Sequence, residues 1–189
     1  MSEPTRLDVL KTYKLFIDGK FPRTESGRTM IVHNRDGDVL AHACKASRKD
    51  LREAVESARR AQAGWSAATP YLRGQIVYRI AEMLEGRRAE FVETIDAVGA
   101  AGGAKAKKPA RAKPGAISPA QREVTASTDR LVAFAGWADK YAQVLGCNNP
   151  VAGPFYNFTV PEPTGVVAVV CPDGAPLLAM VSLLAPAIC

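Results

Sequence analysis

The stretch GVVAVVCPDGAPLLAMVSLLAP, Gly165 to Pro186, constrains this chain more than any other. A β-branched run is followed by a proline-flanked turn carrying Asp173, and then by a leucine-rich stretch that opens at Pro176. Only one charge, Asp173, stands between Gly165 and Cys189, which raises a membrane anchor as a reading. A spanning helix needs about 20 uninterrupted apolar residues, and Pro172, Asp173, Gly174 and Pro176 interrupt this one. A strand, a turn and a helix account for those interruptions; an anchor does not. A complete small βα domain is a further reading, but a parallel strand needs neighbours on both sides, and the sequence supplies no other βα unit.

At 189 residues, with 47% hydrophobic and 23% charged residues, the chain is an ordinary globular mixture long enough for a core. Cys44, Cys147, Cys171 and Cys189 are widely spaced, without a C-x-x-C pair, and His33 and His42 are the only histidines. That usage argues against a metal site or a disulfide framework. It places the chain in a reducing compartment, the cytoplasm. MSEPTRLDVL carries no basic-then-apolar pattern, so no signal peptide is expected there.

The net charge of +6 has one source. No acid occurs between Asp96 and Glu123, and that interval holds Lys105, Lys107, Lys108, Arg111, Lys113 and Arg122. Its centre, GAAGGAKAKKPARAKPGA from Gly99 to Ala116, has no large apolar residue with which to offset the entropy of ordering. It reads first as a solvated, disordered insertion. A basic arm for nucleic acid is the other reading, disfavoured because no aromatic residue is interleaved for stacking on bases.

Around this segment the pattern is regular. YKLFIDGKF (Tyr13 to Phe21) and MIVHNRDGDVLAHAC (Met30 to Cys44) each centre on Asp-Gly, the strongest short hairpin signal, and predict short antiparallel strands. His33 and His42 fall there as strand or surface residues. Ser47 with Asp50 predicts a helix start, with a stripe of Leu51, Val55, Ala58, Gln62 and Trp65. Thr69-Pro70 starts a second helix whose buried face is read as Leu72, Ile76, Ile80, Met83 and Leu84. Phe91, Val92, Ile95 and Val98 continue into a third. Ser118-Pro119 starts a long amphipathic helix through Val124, Leu131, Phe134, Ala138, Tyr141 and Leu145, which Gly146 ends.

FAGWADKY (Phe134 to Tyr141) followed by EPTGVVAVVCP (Glu162 to Pro172) resembles the N-terminal portion of the aldehyde dehydrogenase superfamily. IDGKF at Ile17 to Phe21 fits the same family. So does the helix pattern of Asp50, Ala54, Val55, Ala58 and Ala61, and the R-x-x-I-x-x-x-IAEMLE-like helix from Arg73 to Glu85. The resemblance implies an α/β fold, incomplete: antiparallel strands, helices, then the first strand-turn-helix of a Rossmann-like sheet. Residues 1–12 would be a disordered N-terminus, 13–98 the first strands and helices of the NAD(P)-binding domain, and 99–117 the basic insertion. Residues 118–146 would be one amphipathic helix, 147–163 an oligomerisation-type strand segment containing FYNFTV, and 164–189 the strand-turn-helix, truncated. Val166 to Val170 would then be a parallel strand buried on both faces. Val170, Cys171, Pro172, Asp173 and Gly174 would line the place where the nicotinamide end of NAD or NADP meets an aldehyde.

The turn departs from the family pattern. Most active members read Pro-Trp-Asn-Phe-Pro where this chain reads Pro172-Asp173-Gly174-Ala175-Pro176. Gly174 therefore stands where the resemblance places the Asn that donates to the oxyanion. The wording CPD-x-x-PLLA-x-VSLLAP is closer to divergent family-16 type aldehyde dehydrogenases. The family's ribose-binding Lys, general-base Glu and nucleophilic Cys belong to segments after this turn. None of the four cysteines here sits in a nucleophile-like motif.

The resemblance thus implies a fragment of an NAD(P)-linked aldehyde-oxidising parent, inactive alone and holding no cofactor tightly. Its partners would be family subunits in a homo- or hetero-oligomer, with an aldehyde as the parent's substrate and neither membrane nor nucleic acid engaged. A non-catalytic assembly module that pairs with a full-length relative is the alternative. Either way, exposed edges and a half-covered apolar helix are expected.

Overall fold

The computed structural model describes residues 10–34, 36–99, 117–172 and 174–189. Residues 100–116 of the basic insertion and most of the expected disordered N-terminus lie outside them. The chain divides into two compact units at Ala61 and Gln62: the first includes Ala97–Gly99, and the second is Gln62–Asp96 with the residues from Ile117 on.

The first unit carries a three-stranded sheet in the order β1-β3-β2, with β1 at Thr12–Tyr13, β2 at Thr29–His33 and β3 at Val39–Cys44. β2 and β3 form the expected antiparallel pair, with Met30 opposite Ala43 and Ile31 opposite His42. Their turn is closed by Asn34, whose Oδ1 accepts from the amides of Asp36 and Asp38 at 2.9 and 2.8 Å, an Asx arrangement.

β1 corrects the reading of this region in two respects. Thr12 is part of the sheet rather than of a disordered tail, and β1 runs parallel to β3, with Thr12 beside His42. The hairpin expected at Asp18-Gly19 is present but short. Ile17 and Lys20 exchange 3.0 Å hydrogen bonds, and Asp18 and Gly19 take φ of 56° and 70°, the left-handed pair that this turn requires.

α1 (Arg48–Ala67) begins at a reciprocal cap: Ser47 Oγ accepts from the Asp50 amide at 3.2 Å, and Asp50 Oδ2 accepts from the Ser47 amide at 2.7 Å. Asp50 also accepts from Thr24 Oγ1 at 2.6 Å and from the Glu25 amide at 3.1 Å. These bonds, led by the one from Thr24, hold its carboxyl well below the usual carboxylate range despite burial. The apolar stripe expected on α1 is only partly covered: Val55, Gln62 and Trp65 are half-buried, while Leu51 and Ala58 are exposed.

The second unit is built on α2 (Pro70–Gly86), α4 (Pro119–Trp137) and α6 (Pro176–Ile188). Thr69 caps α2 and Ser118 caps α4, each ahead of a proline, as their sequences predict. Val77, Ala81 and Leu84 meet Leu131 of α4 and Val181 and Ala185 of α6 in one apolar cluster, with Phe134 and Leu177 packed against it. α3 (Arg88–Val98) brings Phe91 to the same cluster.

Two expectations fail here. Of the face expected to be buried on α2, only Leu84 is covered; Leu72, Ile76, Ile80 and Met83 are exposed. Gly74, Val77, Ala81 and Leu84 are buried instead, because close helix approach selects the face with the smaller residues. The single helix expected over 118–146 breaks at Ala138–Lys140, and a short α5 follows at Tyr141–Leu145. The Lys140 amide bonds the Trp137 carbonyl at 3.1 Å, a tighter turn that ends the α-helical ladder.

The segment expected as an oligomerisation strand forms one antiparallel bridge, Asn148 to Phe158, flanked by bonds from the Asn149 amide to Asn157 O and from the Thr159 amide to Cys147 O. Val166 to Val170 is not in a strand ladder among the described residues, and Val170 is 87% exposed. Such a segment becomes a strand only when neighbours take up its amides and carbonyls.

Candidate functional site

Of the five residues singled out on the turn, Val170, Cys171, Pro172 and Gly174 are exposed, and Asp173 lies outside the described residues. They follow one another along the backbone, and no hydrogen bond ties the four to other described residues. At one end the segment passes α1: a Cβ at Gly165, where φ is 113°, would lie 3.7 Å from Gln62 Nε2. At the other end it enters α6 through Ala175, a non-glycine residue held at φ 51° and ψ 61°. A Cβ built on Gly174 would meet nothing within 4 Å, so the space before it is open.

The start of α6 is held by a side chain from another helix. Pro176 has no amide, and Ala175 offers no capping side chain. The Ala179 amide bonds the Ala175 carbonyl at 2.9 Å. The amides of Leu177 and Leu178 would otherwise be orphans of the first turn. Both donate to Glu123 Oε1 of α4, at 2.9 and 3.3 Å, from 54 and 55 positions away in sequence. A carboxylate at the positive end of a helix is the favourable charge placement. The far end carries the opposite group: Arg73 Nε donates to Cys189 O at 2.6 Å, and Trp65 Nε1 donates to Ile188 O at 3.1 Å.

Sequence reasoning missed Glu123. The available signal was negative: a helix opening Ala175-Pro176 lacks the Ser, Thr, Asp or Asn that caps α2 and α4, so its cap has to come from elsewhere.

The cysteines stand apart in character. Cys171 is exposed on the turn. Cys189 is half-buried; its thiol donates to Phe134 O at 3.2 Å, and burial pushes its pKa up against a smaller downward pull from Arg73. Among the described residues, no three His, Cys, Asp or Glu side chains are grouped to hold a metal. None of the helices is long and apolar enough to cross a membrane.

An open cleft of about 710 Å³ lies elsewhere, between α3 and the start of α4. Along it Arg88 donates to both carboxylate oxygens of Glu85 and to Thr125 Oγ1 at 2.9 Å. On the turn, by contrast, the backbone before Gly174 has open approach space.

Comparison with known proteins gives one answer. A family model described as the aldehyde dehydrogenase family matches residues 21–189. A mitochondrial benzaldehyde dehydrogenase of Antirrhinum majus is 31% identical over 94% of this chain and 31% of its own length. The cytosolic aldehyde dehydrogenase 1 of Elephantulus edwardii is 30% identical over 93% of this chain and 33% of its own. Among solved structures, an NAD-dependent benzaldehyde dehydrogenase from Corynebacterium glutamicum aligns with a TM-score of 0.72 at 30% identity, covering 93% of this chain and 35% of that one. A salicylaldehyde dehydrogenase from Pseudomonas putida G7 shares the fold at a TM-score of 0.78 and 20% identity, over 95% of this chain and 34% of that one. The chain spans about a third of the length of the curated relatives it matches.

Proposed function

The chain belongs to the aldehyde dehydrogenase family, and from that premise we propose that Val170, Cys171, Pro172, Asp173 and Gly174 form one wall of an NAD(P)- and aldehyde-binding site. The observation that supports this most directly is the open space before Gly174 on a turn that leads into α6. Exposed backbone and small side chains fit the flat ring of a nicotinamide. Nothing described on the turn fits a diphosphate, since the first amides of α6 are taken by Glu123. When bound, NAD(P) supplies the hydride acceptor for oxidation of an aldehyde to a carboxylic acid.

The chain's own contribution is shape and backbone. Val170 and Pro172 present apolar surface, and Gly174 lets the backbone be approached but brings no side-chain donor to an oxyanion. Loss of one such donor costs about a hundred- to a thousandfold in rate. With no cysteine in a nucleophile-like motif, the 189-residue polypeptide taken alone does not turn over, and it holds NAD or NADP only weakly.

Two measurements test this reading. Purified chain given NAD or NADP with benzaldehyde should form no reduced cofactor; a rate that disappears on thiol blocking would overturn the inactivity. Millimolar NAD should slow iodoacetamide alkylation of Cys171; an unchanged rate would overturn the placement of the site.

A second reading, a non-catalytic module that pairs with a longer family member, is favoured by Phe155, Tyr156, Phe158 and Val160, which are 56–75% exposed beside a single bridge. Co-purification with such a subunit would support it, and a chain that stays alone in its presence would not.

A further inference from the structure

We propose that the outer face of the short hairpin at Lys14–Arg23 is a binding platform for single-stranded nucleic acid, made of the ring pair Phe16 and Phe21 and the cation pair Lys14 and Arg23. It lies in the first unit and is independent of the turn at Val170–Gly174. It departs from the expectation that no nucleic acid is engaged.

The register of the hairpin makes the platform. The Leu15 amide bonds the Pro22 carbonyl at 3.1 Å, and Ile17 and Lys20 exchange bonds at 3.0 Å. That pairing sets Phe16 opposite Phe21 and Lys14 opposite Arg23. Successive side chains point to opposite faces of a strand, so these four share one face. Burial follows the same alternation. Ile17 and Thr24 are buried and Leu15 and Pro22 half-buried, whereas Lys14, Phe16, Phe21 and Arg23 are exposed. The two phenylalanines are 68% and 66% exposed, and their ring centroids stand 5.2 Å apart.

The charges on this face call for an anion. Lys14 and Arg23 are like charges directly opposite each other, which destabilises a strand pair. Neither has an ion-pair partner among the described residues. The acids closest in sequence are engaged elsewhere: Asp18 accepts from Ser57 at 3.1 Å and lies 3.9 Å from Lys20, and Glu25 pairs with Lys49 at 3.3 Å. An anion held between the two cations offsets their repulsion.

The rings beside them call for a flat apolar group. A ligand that meets both needs carries an anion and a ring within a few ångströms of each other. Phosphate and base in a single strand are so joined, and stacking on aromatic side chains beside a cationic track is how such strands are held. A duplex keeps its base faces stacked on one another and offers the rings little. A bilayer fits less well, because the tip of the hairpin carries the charged Asp18 and Lys20, and the rings lie on its side. The basic insertion has cations without aromatic residues, so the two segments can be told apart.

The test is the fluorescence anisotropy of a labelled oligothymidylate titrated with the 189-residue chain. The native chain should bind it more tightly than its duplex with oligoadenylate. Phe16→Ser with Phe21→Ser should weaken binding roughly tenfold or more, the scale of base–aromatic stacking. Phe16→Leu with Phe21→Leu, apolar but without rings, should not restore it. Lys14→Gln with Arg23→Gln should lower the slope of log affinity against log salt by about 1.4, for two phosphates at about 0.7 each.

Ring variants that bind as the native chain does would assign the affinity to charge alone, such as that of the basic insertion, and overturn the proposal. Equal binding of the duplex would overturn it too, as would binding of phosphatidylserine vesicles without binding of the strand. NMR of the native chain makes the test independent of how the variants fold. The phenylalanine ring protons should shift upfield as the strand is added, and rings that do not respond would sink the platform.

Discussion

Gly74 of α2 and Ala135 of α4 are in backbone contact: a Cβ at position 74 would stand 2.8 Å from the Ala135 carbonyl oxygen and 3.3 Å from the Ala138 Cβ. That approach brings Val77, Ala81 and Leu84 against Leu131 and lets the two helices share one apolar cluster. It also explains why the face of α2 with the larger residues is turned outward.

Gly74→Ala should therefore destabilise the chain although alanine is the better helix former. The propensity gain is about 1 kcal/mol, while forcing a backbone oxygen aside in a packed contact costs typically about 1–3 kcal/mol. Gly64→Ala is the control, because a Cβ there meets nothing within 4 Å in the interior of α1. It should stabilise by roughly 0.4–1 kcal/mol. Urea unfolding of the two variants should give midpoint shifts of opposite sign; a stabilised Gly74→Ala would show that α2 and α4 can part without loss.

The Asp50 cluster gives a prediction about pH. Thr24 Oγ1 and the amides of Ser47 and Glu25 all donate to its carboxylate, and its pKa is lowered well below the ordinary value. A lowered folded-state pKa contributes stability that is fully present above the unfolded value, about 3.9 for Asp. That stability is lost progressively as pH falls toward the folded value. Tm measured from neutral pH downward should fall below about pH 4, and Asp50→Asn, already weaker at neutral pH, should fall less over that range. Parallel pH profiles for the two proteins would remove Asp50 as the cause.

What the sequence made legible was local. Asp18-Gly19 and Asn34 to Asp38 form their turns because the needed φ values and side-chain acceptors lie within a few residues. Ser47, Thr69 and Ser118 cap helices for the same reason. What stayed hidden depends on partners distant in the chain. Glu123 and Leu177 are 54 positions apart, and β1 reaches β3 across the whole intervening hairpin. The choice of Val77 and Ala81 over Ile76 and Ile80 is made by α4, not by α2. The turn of Val170–Gly174 was legible as a break in an apolar run; its strand was not realised, because a run like Val166–Val170 carries no instruction about which neighbours pair with it.

Trp65 lends itself to a milder test. Its indole Nε1–H donates to Ile188 O at the end of α6 while its ring is half-buried. Trp65→Phe keeps most apolar contact and removes the donor, so it should cost about 0.5–1.5 kcal/mol, the net value of one such bond. The effect should appear first as faster amide exchange in the last turn of α6. Uniformly faster exchange across α2, α4 and α6 would instead mark Trp65 as a packing residue.

The exposed ring cluster near the Asn148–Phe158 bridge gives the last prediction. Phe155, Tyr156 and Phe158 are 74%, 75% and 56% exposed, and the Tyr156 and Phe158 rings lie 5.4 Å apart. At about 200 Å² per aromatic side chain they offer roughly 400 Å², within the range of the largest apolar patch on a typical monomer. The purified chain should bind a hydrophobic dye and associate as concentration rises. Replacing the three by serine should reduce both effects severalfold, without lowering the melting temperature, since none of the three contributes to the α2–α4–α6 cluster. A native chain that binds no dye and stays monomeric would mean these rings are covered in solution by another part of the chain.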